Sequence, residues 1–174
     1  MHGGELGGRR LLTPRGIRPS QGIVKEAVYN VLAAEIEGAG VIDLFAGSGA
    51  LGIEALSRGA RQVTFVEADP KVAGVLRRNL AALGLVERSR VHIGDAVRWV
   101  DLHPAEVAAA DLVLLDPPYN DAVLGEVLAL IDRTASGTVV AEWSGRGALP
   151  ELERLAIRRD RSYGATRLTI LTPR

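Results

Sequence analysis

Short apolar runs alternate with longer amphipathic stretches along most of the chain, the rhythm of βαβ units whose strands are covered on both faces. The runs predict strands over Gly40–Phe45, Gln62–Glu67, Arg90–Ile93, Asp111–Asp116 and Gly137–Trp143. Helical spacing predicts helices over Leu51–Arg58, Pro70–Leu83, Ala96–Leu102 and Ala122–Thr134 between them. A further helix over Gln21–Ala34 precedes the first strand, with Arg18-Pro19-Ser20 supplying its cap. The last forty or so residues change rhythm. Leu149–Leu155 reads as a final helix, and Ala156–Arg161 and Arg167–Thr172 alternate around Ser162-Tyr163-Gly164 as an antiparallel hairpin does. Residues 1–19, with Gly3, Gly4, Gly7, Gly8 and four arginines, read as a basic arm that is weakly ordered in isolation or forms a short hairpin. The expected architecture is α/β: a mostly parallel sheet in one domain over residues 20–174, with the arm appended.

Composition narrows the possibilities. The 174 residues are 47% hydrophobic and 24% charged, the mix of a globular domain able to bury a core. There is no cysteine, and His2, His92 and His103 show no metal-ligand spacing, so neither disulfides nor a metal cofactor is expected. No apolar run reaches membrane-spanning length, and the N-terminus lacks a secretory segment, so the expected location is cytoplasmic. The formal charge is zero overall, yet it divides into about +4 over residues 1–25, −7 over 26–150 and +3 over 151–174. Basic ends around an acidic middle suit a phosphate-binding rim as well as a plain solvated surface.

Candidate chemistry sits at the strand ends. Asp43-Leu44-Phe45-Ala46-Gly47-Ser48-Gly49 is a strand running into a small-residue turn that opens a helix. Gly47, Gly49 and Gly52 fit the G-x-G-x-x-G spacing of nucleotide sites, where glycines permit tight turning and close backbone approach. That spacing alone leaves open a dinucleotide-binding dehydrogenase or an ordinary strand-to-helix turn. Asp43 distinguishes them: a carboxylate there repels a pyrophosphate but attracts the ammonium group of a methionine moiety, which points to a sulfonium cofactor. The second strand ends in Glu67-Ala68-Asp69, where Glu67 can accept bonds from both ribose hydroxyls and Asp69 fits a helix cap better. The third ends in Gly94-Asp95-Ala96, where Asp95 can accept from an adenine amino group while the Ala96 amide donates to the ring. The carboxyl ends of parallel strands share one crevice, so these ends converge on a single ligand.

The fourth strand delivers Asp116-Pro117-Pro118-Tyr119. Two prolines fix the backbone and remove two amide donors, leaving carbonyl oxygens beside the Asp116 carboxylate as acceptors. An exocyclic base amine is a poor nucleophile because its lone pair is delocalised into the ring, and two aimed acceptors align it. Tyr119 can stack on a flipped base, a contact that contributes about 1–3 kcal/mol. Together with the cofactor-like strand ends, the loop points to S-adenosylmethionine-dependent methylation of a base amine.

Asp43–Gly52 with Asp116–Tyr119 resembles the Rossmann-fold amino-methyltransferases acting on nucleic-acid bases. The stretches Arg18–Leu32 and Leu44–Ala60, together with Tyr163-Gly164, resemble the bacterial 16S ribosomal RNA guanine-N2 methyltransferases more closely. Ser20 stands where that pattern expects threonine, and Tyr29 where it expects phenylalanine. The resemblance implies a class I methyltransferase fold with a mostly parallel seven-stranded sheet and an antiparallel C-terminal hairpin. It implies methyl transfer from S-adenosylmethionine to the N2 amine of a guanine in 16S rRNA, within the small subunit or its assembly intermediate; a monomer is the default expectation. The implied catalytic residues are Asp116, Pro117, Pro118 and Tyr119. The cofactor residues are Asp43, Ala46, Gly47, Gly49, Glu67, Ala68, Asp95 and Ala96, and Arg9, Arg10, Arg15 and Arg18 are placed to contact RNA phosphates. Deleting residues 1–15 is expected to weaken RNA methylation while leaving cofactor binding intact. The alternatives are a DNA adenine-N6 or cytosine-N4 methyltransferase and a non-catalytic RNA-binding module.

Overall fold

A computed structural model describes residues 3–13, 22–118 and 121–174. Among these, helices α1 (Gly22–Val31) and α2 (Ala33–Ile36) lead into strand β1 (Gly40–Leu44). Then follow α3 (Ala50–Ser57), β2 (Gln62–Glu67), α4 (Pro70–Ala82), β3 (Ser89–Ile93), α5 (Ala96–Leu102), α6 (Pro104–Ala109), β4 (Leu112–Leu115), α7 (Asp121–Asp132) and β5 (Thr138–Trp143). The chain closes with β6 (Leu155–Tyr163) and β7 (Thr166–Pro173). One seven-stranded sheet results, in the order β3-β2-β1-β4-β5-β7-β6. The first five strands are parallel, and β7 pairs antiparallel with both β5 and β6.

The central strands β1, β4 and β5 are buried throughout and read as largely apolar runs because both faces are covered. Val41, Val63, Phe65, Leu112, Leu114 and Val140 pack in one cluster with Tyr29 of α1, Leu32 between α1 and α2, Leu56 of α3 and Leu76 of α4. The alternate residues Ile42, Leu44, Val66, Val113, Leu115, Val139 and Ala141 pack in a second cluster with Trp99 of α5 and Leu124, Leu128 and Ile131 of α7. Burying each such side chain contributes about 1.5–3 kcal/mol, so the two layers hold the central strands rigid and fix where their ends fall.

Two expectations need correction. Leu149–Leu155 is not a helix: β6 starts at Leu155, and the amides of Glu153, Arg154 and Leu155 donate to the buried carboxylate of Asp132 at 2.8–3.1 Å. Amides drawn onto one side chain cannot bond carbonyls four residues back. The helix expected over Gln21–Ala34 breaks at Leu32, and Ser20 and Gln21 lie outside the described residues. Of the arm expected over residues 1–19, residues 3–13 are described and hold a short 3₁₀ turn at Gly4–Leu6.

Candidate active site

Strand register lines up the candidate residues along the carboxyl edge. Leu44 of β1 lies beside Val66 on one side and Leu115 on the other, Glu67 pairs with Ile93, and Leu115 pairs with Ala141. Asp95, Glu67, Phe45, Asp116 and Glu142 therefore follow one another across five neighbouring strands. The sheet order changes direction between β1 and β4, the switch point at which open α/β sheets bind ligands.

The turn after β1 is strained and fixed. Phe45 has φ of 63°, a conformation rare for a bulky residue, and Gly47 and Gly49 follow at 58° and 85°. The two glycines have different reasons to be there. A Cβ on Gly49 would lie 2.3 Å from Leu76 Cδ1, whereas one on Gly47 would meet nothing nearer than the Phe45 carbonyl oxygen at 4.0 Å, so the backbone at Gly47 is open to a ligand. Gly52 brings α3 onto the sheet: its Cβ would fall 2.3 Å from the Phe65 ring. The Gly49 amide donates to the Ala46 carbonyl at 2.8 Å, and the Ala46 amide donates to the Val66 carbonyl at 3.0 Å.

Carboxylates hold this turn through its amides. Asp43 is buried, and its Oδ2 accepts from the Gly52 amide at 2.8 Å, which shapes the start of α3. Glu67 Oε2 accepts from the Gly47 amide and Oε1 from the Asp69 amide, both at 2.8 Å. A carboxylate has about four acceptor sites, so Glu67 retains capacity for ribose hydroxyls. Asp69 caps α4 through the Lys71 amide at 2.7 Å, the role its sequence position suggests. Asp95 likewise caps α5, with Oδ1 accepting from the Arg98 amide at 2.8 Å. Ala68 is exposed beside Glu67, and Ala46 and Ala96 are buried under the crevice.

Asp116 is half-buried one residue past β4, with Pro117 buried and Pro118 exposed. Tyr119 lies outside the described residues, as do Arg15 and Arg18; Arg9 and Arg10 are exposed. Among the described residues, no group of three or more His, Asp or Glu side chains is arranged to hold a metal ion.

Several features of the site go beyond the sequence reading. The left-handed backbone of Phe45 leaves no trace in composition. Glu142 was legible in principle: a charged residue inside the apolar strand Thr138–Trp143, it is buried beside the row of Asp116. Tyr29 is fully buried and donates its hydroxyl to the Leu51 carbonyl at 2.6 Å, so tyrosine in place of phenylalanine adds a bond between α1 and α3. Burial, and then Asp43 and Glu54 nearby, raise its pKa well above the usual tyrosine value, which keeps the hydroxyl a donor.

Comparison with known proteins agrees with this geometry. The family model described as "Conserved hypothetical protein 95" matches residues 1–172. A Bacillus subtilis (strain 168) protein named "Putative rRNA methyltransferase YlbH" is 36% identical over 98% of this chain and 97% of its own. The Escherichia coli (strain K12) "Ribosomal RNA small subunit methyltransferase D" is 38% identical over 75% of this chain and 65% of its own. The solved structure "Putative methyltransferase yhhF from Escherichia coli" superposes with a TM-score of 0.85 at 30% identity, covering 99% of this chain and 96% of that one. The fold is that of a Rossmann-like methyltransferase. The chain belongs to the conserved hypothetical protein 95 family and is a relative of the 16S rRNA methyltransferases.

Proposed function

We propose that this protein transfers a methyl group from S-adenosylmethionine to the exocyclic N2 amine of a guanine in 16S rRNA, within the small ribosomal subunit or an assembly intermediate, acting as a cytoplasmic monomer. The observation that carries the reading is the register pair Leu44–Leu115, which puts the Asp116-Pro117-Pro118 loop directly beside the glycine turn. The residues present fit the cofactor: Gly47 leaves room for close approach, Glu67 has spare acceptor capacity for ribose, and Asp95 and Ala96 stand at the next strand end for the adenine. Asp43, held on the Gly52 amide, shapes the turn and adds negative potential near a cationic methionine moiety. Bound there, the cofactor supplies a methyl made electrophilic by its positive sulfur.

The chain's own task is alignment. The Asp116 carboxylate and the Pro117 carbonyl accept the two amine hydrogens and turn the nitrogen lone pair toward the cofactor. After transfer the nitrogen is acidic and gives a proton to water or to Asp116, so no strong base is required. Tyr119 stacks on the base, and Arg9, Arg10, Arg15 and Arg18 in the arm of residues 1–19 hold RNA phosphates. The names of the relatives, which specify rRNA, favour RNA over DNA as substrate.

The test incubates the protein with labelled S-adenosylmethionine and small subunits lacking base methylation, with duplex DNA alongside, and identifies the labelled nucleoside by mass spectrometry. N2-methylguanosine from RNA is expected. Label confined to methyladenine or methylcytosine of DNA overturns the substrate, and no label despite cofactor binding favours a non-catalytic RNA-binding role.

A further inference from the structure

One buried side chain joins the N-terminal segment to the cofactor turn. Asn79 of α4 is 3% exposed. Its Nδ2 donates to the Ser48 carbonyl and to the Leu12 carbonyl, each at 3.0 Å, and its Oδ1 accepts from the Leu12 amide at 2.9 Å. The orientation of the amide is forced: reversing it would set an oxygen against two carbonyls and an NH₂ against an N–H. The Ser48–Gly49 peptide is thereby held at both ends, by Asn79 on its carbonyl and by the Ala46 carbonyl on its amide.

The rest of the segment lies along α3. The Gly3 amide donates to Glu54 Oε1 at 2.9 Å, the Leu6 amide donates to Ser57 Oγ at 2.9 Å, and Ser57 returns a bond to the Gly3 carbonyl at 2.8 Å. A Cβ on Gly4 would lie 2.0 Å from the Ser57 carbonyl oxygen, so the fit against α3 is close.

We infer that Asn79 is a positioning residue that couples docking of residues 3–13 to the shape of the cofactor turn, so that the segment carrying Arg9 and Arg10 and the S-adenosylmethionine site are not independent. With Leu12 docked, two of the amide's bonds fix its rotation and aim the remaining hydrogen at Ser48. With Leu12 gone, a buried amide loses two partners and must turn or take up water, which releases the Ser48 carbonyl. Because the coupling is a free energy between two sites, it acts in both directions: cofactor binding also tightens docking of the segment. Removing residues 1–15 therefore weakens cofactor binding as well as RNA methylation, contrary to the independence that the sequence suggests. If the segment's arginines contact RNA, as the proposed function holds, RNA and cofactor binding are linked through the same side chain.

The test uses S-adenosylhomocysteine without RNA, so its outcome is separate from the identity of the methylated base. Asn79→Asp puts a carboxylate oxygen against the two carbonyls, and Leu12→Pro removes the amide donor without changing Asn79 or any residue of the turn. By calorimetry each variant should bind the ligand about fivefold or more weakly. The double variant should be no weaker than Asn79→Asp alone, because Leu12 acts through Asn79. Hydrogen exchange at the Leu12 amide should slow when the ligand binds the unaltered protein, a response that a purely structural bond would not give. Wild-type affinity in a folded Leu12→Pro variant, additive losses in the double variant, or ligand-independent exchange at Leu12 would each overturn the inference. Should Asn79→Asp fail to fold by thermal melting, the Leu12→Pro affinity and the exchange measurement decide alone.

Discussion

The two edges of the sheet use their carboxylates differently. At the carboxyl edge Glu67, Asp69 and Asp95 accept backbone amides of the turns after β2 and β3 and of the turn after β1. At the amino edge, Glu35 is bound by Arg158 at 2.5 Å and by the Thr138 hydroxyl at 2.8 Å. Burial alone would raise the pKa of Glu35, but the bonds from Arg158 and Thr138 outweigh it and hold the carboxyl below its usual value. A carboxylate matched to amides keeps its full negative charge in the field felt by a ligand, whereas one matched to a guanidinium is largely neutralised. At the carboxyl edge Glu67, Asp69 and Asp95 thus fasten turns and helix starts through backbone amides, whereas the opposite edge uses an ion pair to fasten β6 to α2.

The contrast is tested hardest at Asp116. Asp116→Ala should lower turnover by about 10²–10³-fold while S-adenosylhomocysteine affinity by calorimetry stays unchanged; joint loss in a folded variant would place Asp116 in cofactor binding instead. Glu67→Ala should reverse that pattern, weakening cofactor binding by about tenfold to a hundredfold through lost charge-assisted bonds and a loosened Gly47. Unchanged affinity would remove Glu67 from the site. Gly52→Ala forces a methyl against the Phe65 ring and should lower stability by about 1–3 kcal/mol in denaturant titrations, since the ring is in the core and has little room to yield.

The smallest effect belongs to the amino edge. The folded-state pKa of Glu35 is lowered, so its contribution is present above the usual value of 4.5 and is lost as pH falls through the folded value. Glu35→Gln should flatten the acid side of the stability profile by about 1 kcal/mol or less, because both partners are partly exposed. A larger loss would mean that the pair organises the edge rather than merely decorating it.

How legible these features were depends on how local their causes are. The central strands were readable to within a residue because burial on both faces demands continuous apolar runs, and the cap of α4 was readable because Asp69-Pro70 is a local signal. Leu149–Leu155 misled because its amides answer to Asp132, about twenty residues away. The two short helices α5 and α6, split at His103 before Pro104, were read only in part, since six residues of α6 carry too little periodicity. Within the site, the glycine turn and the Asp116 loop were visible as motifs. The grip of Glu67 on the Gly47 amide and the clamp by Asn79 were not, because each joins residues brought together only by the fold.

The order β5-β7-β6 bears on how the protein emerges during synthesis. Strand β6 is made before β7 yet lies outside it, so its ladder partner does not exist when its own last residue, Tyr163, has been added. At translation rates of about 5–20 residues per second, β6 waits beside a five-stranded sheet to which it cannot bond directly. The exposed arginines Arg158, Arg159 and Arg161 put positive charge on this strand and discourage its pairing with a neighbouring nascent chain during that interval. A message cut short before Thr166 would leave β5 as an open edge and β6 without a neighbour, a product suited to proteolysis rather than to partial function.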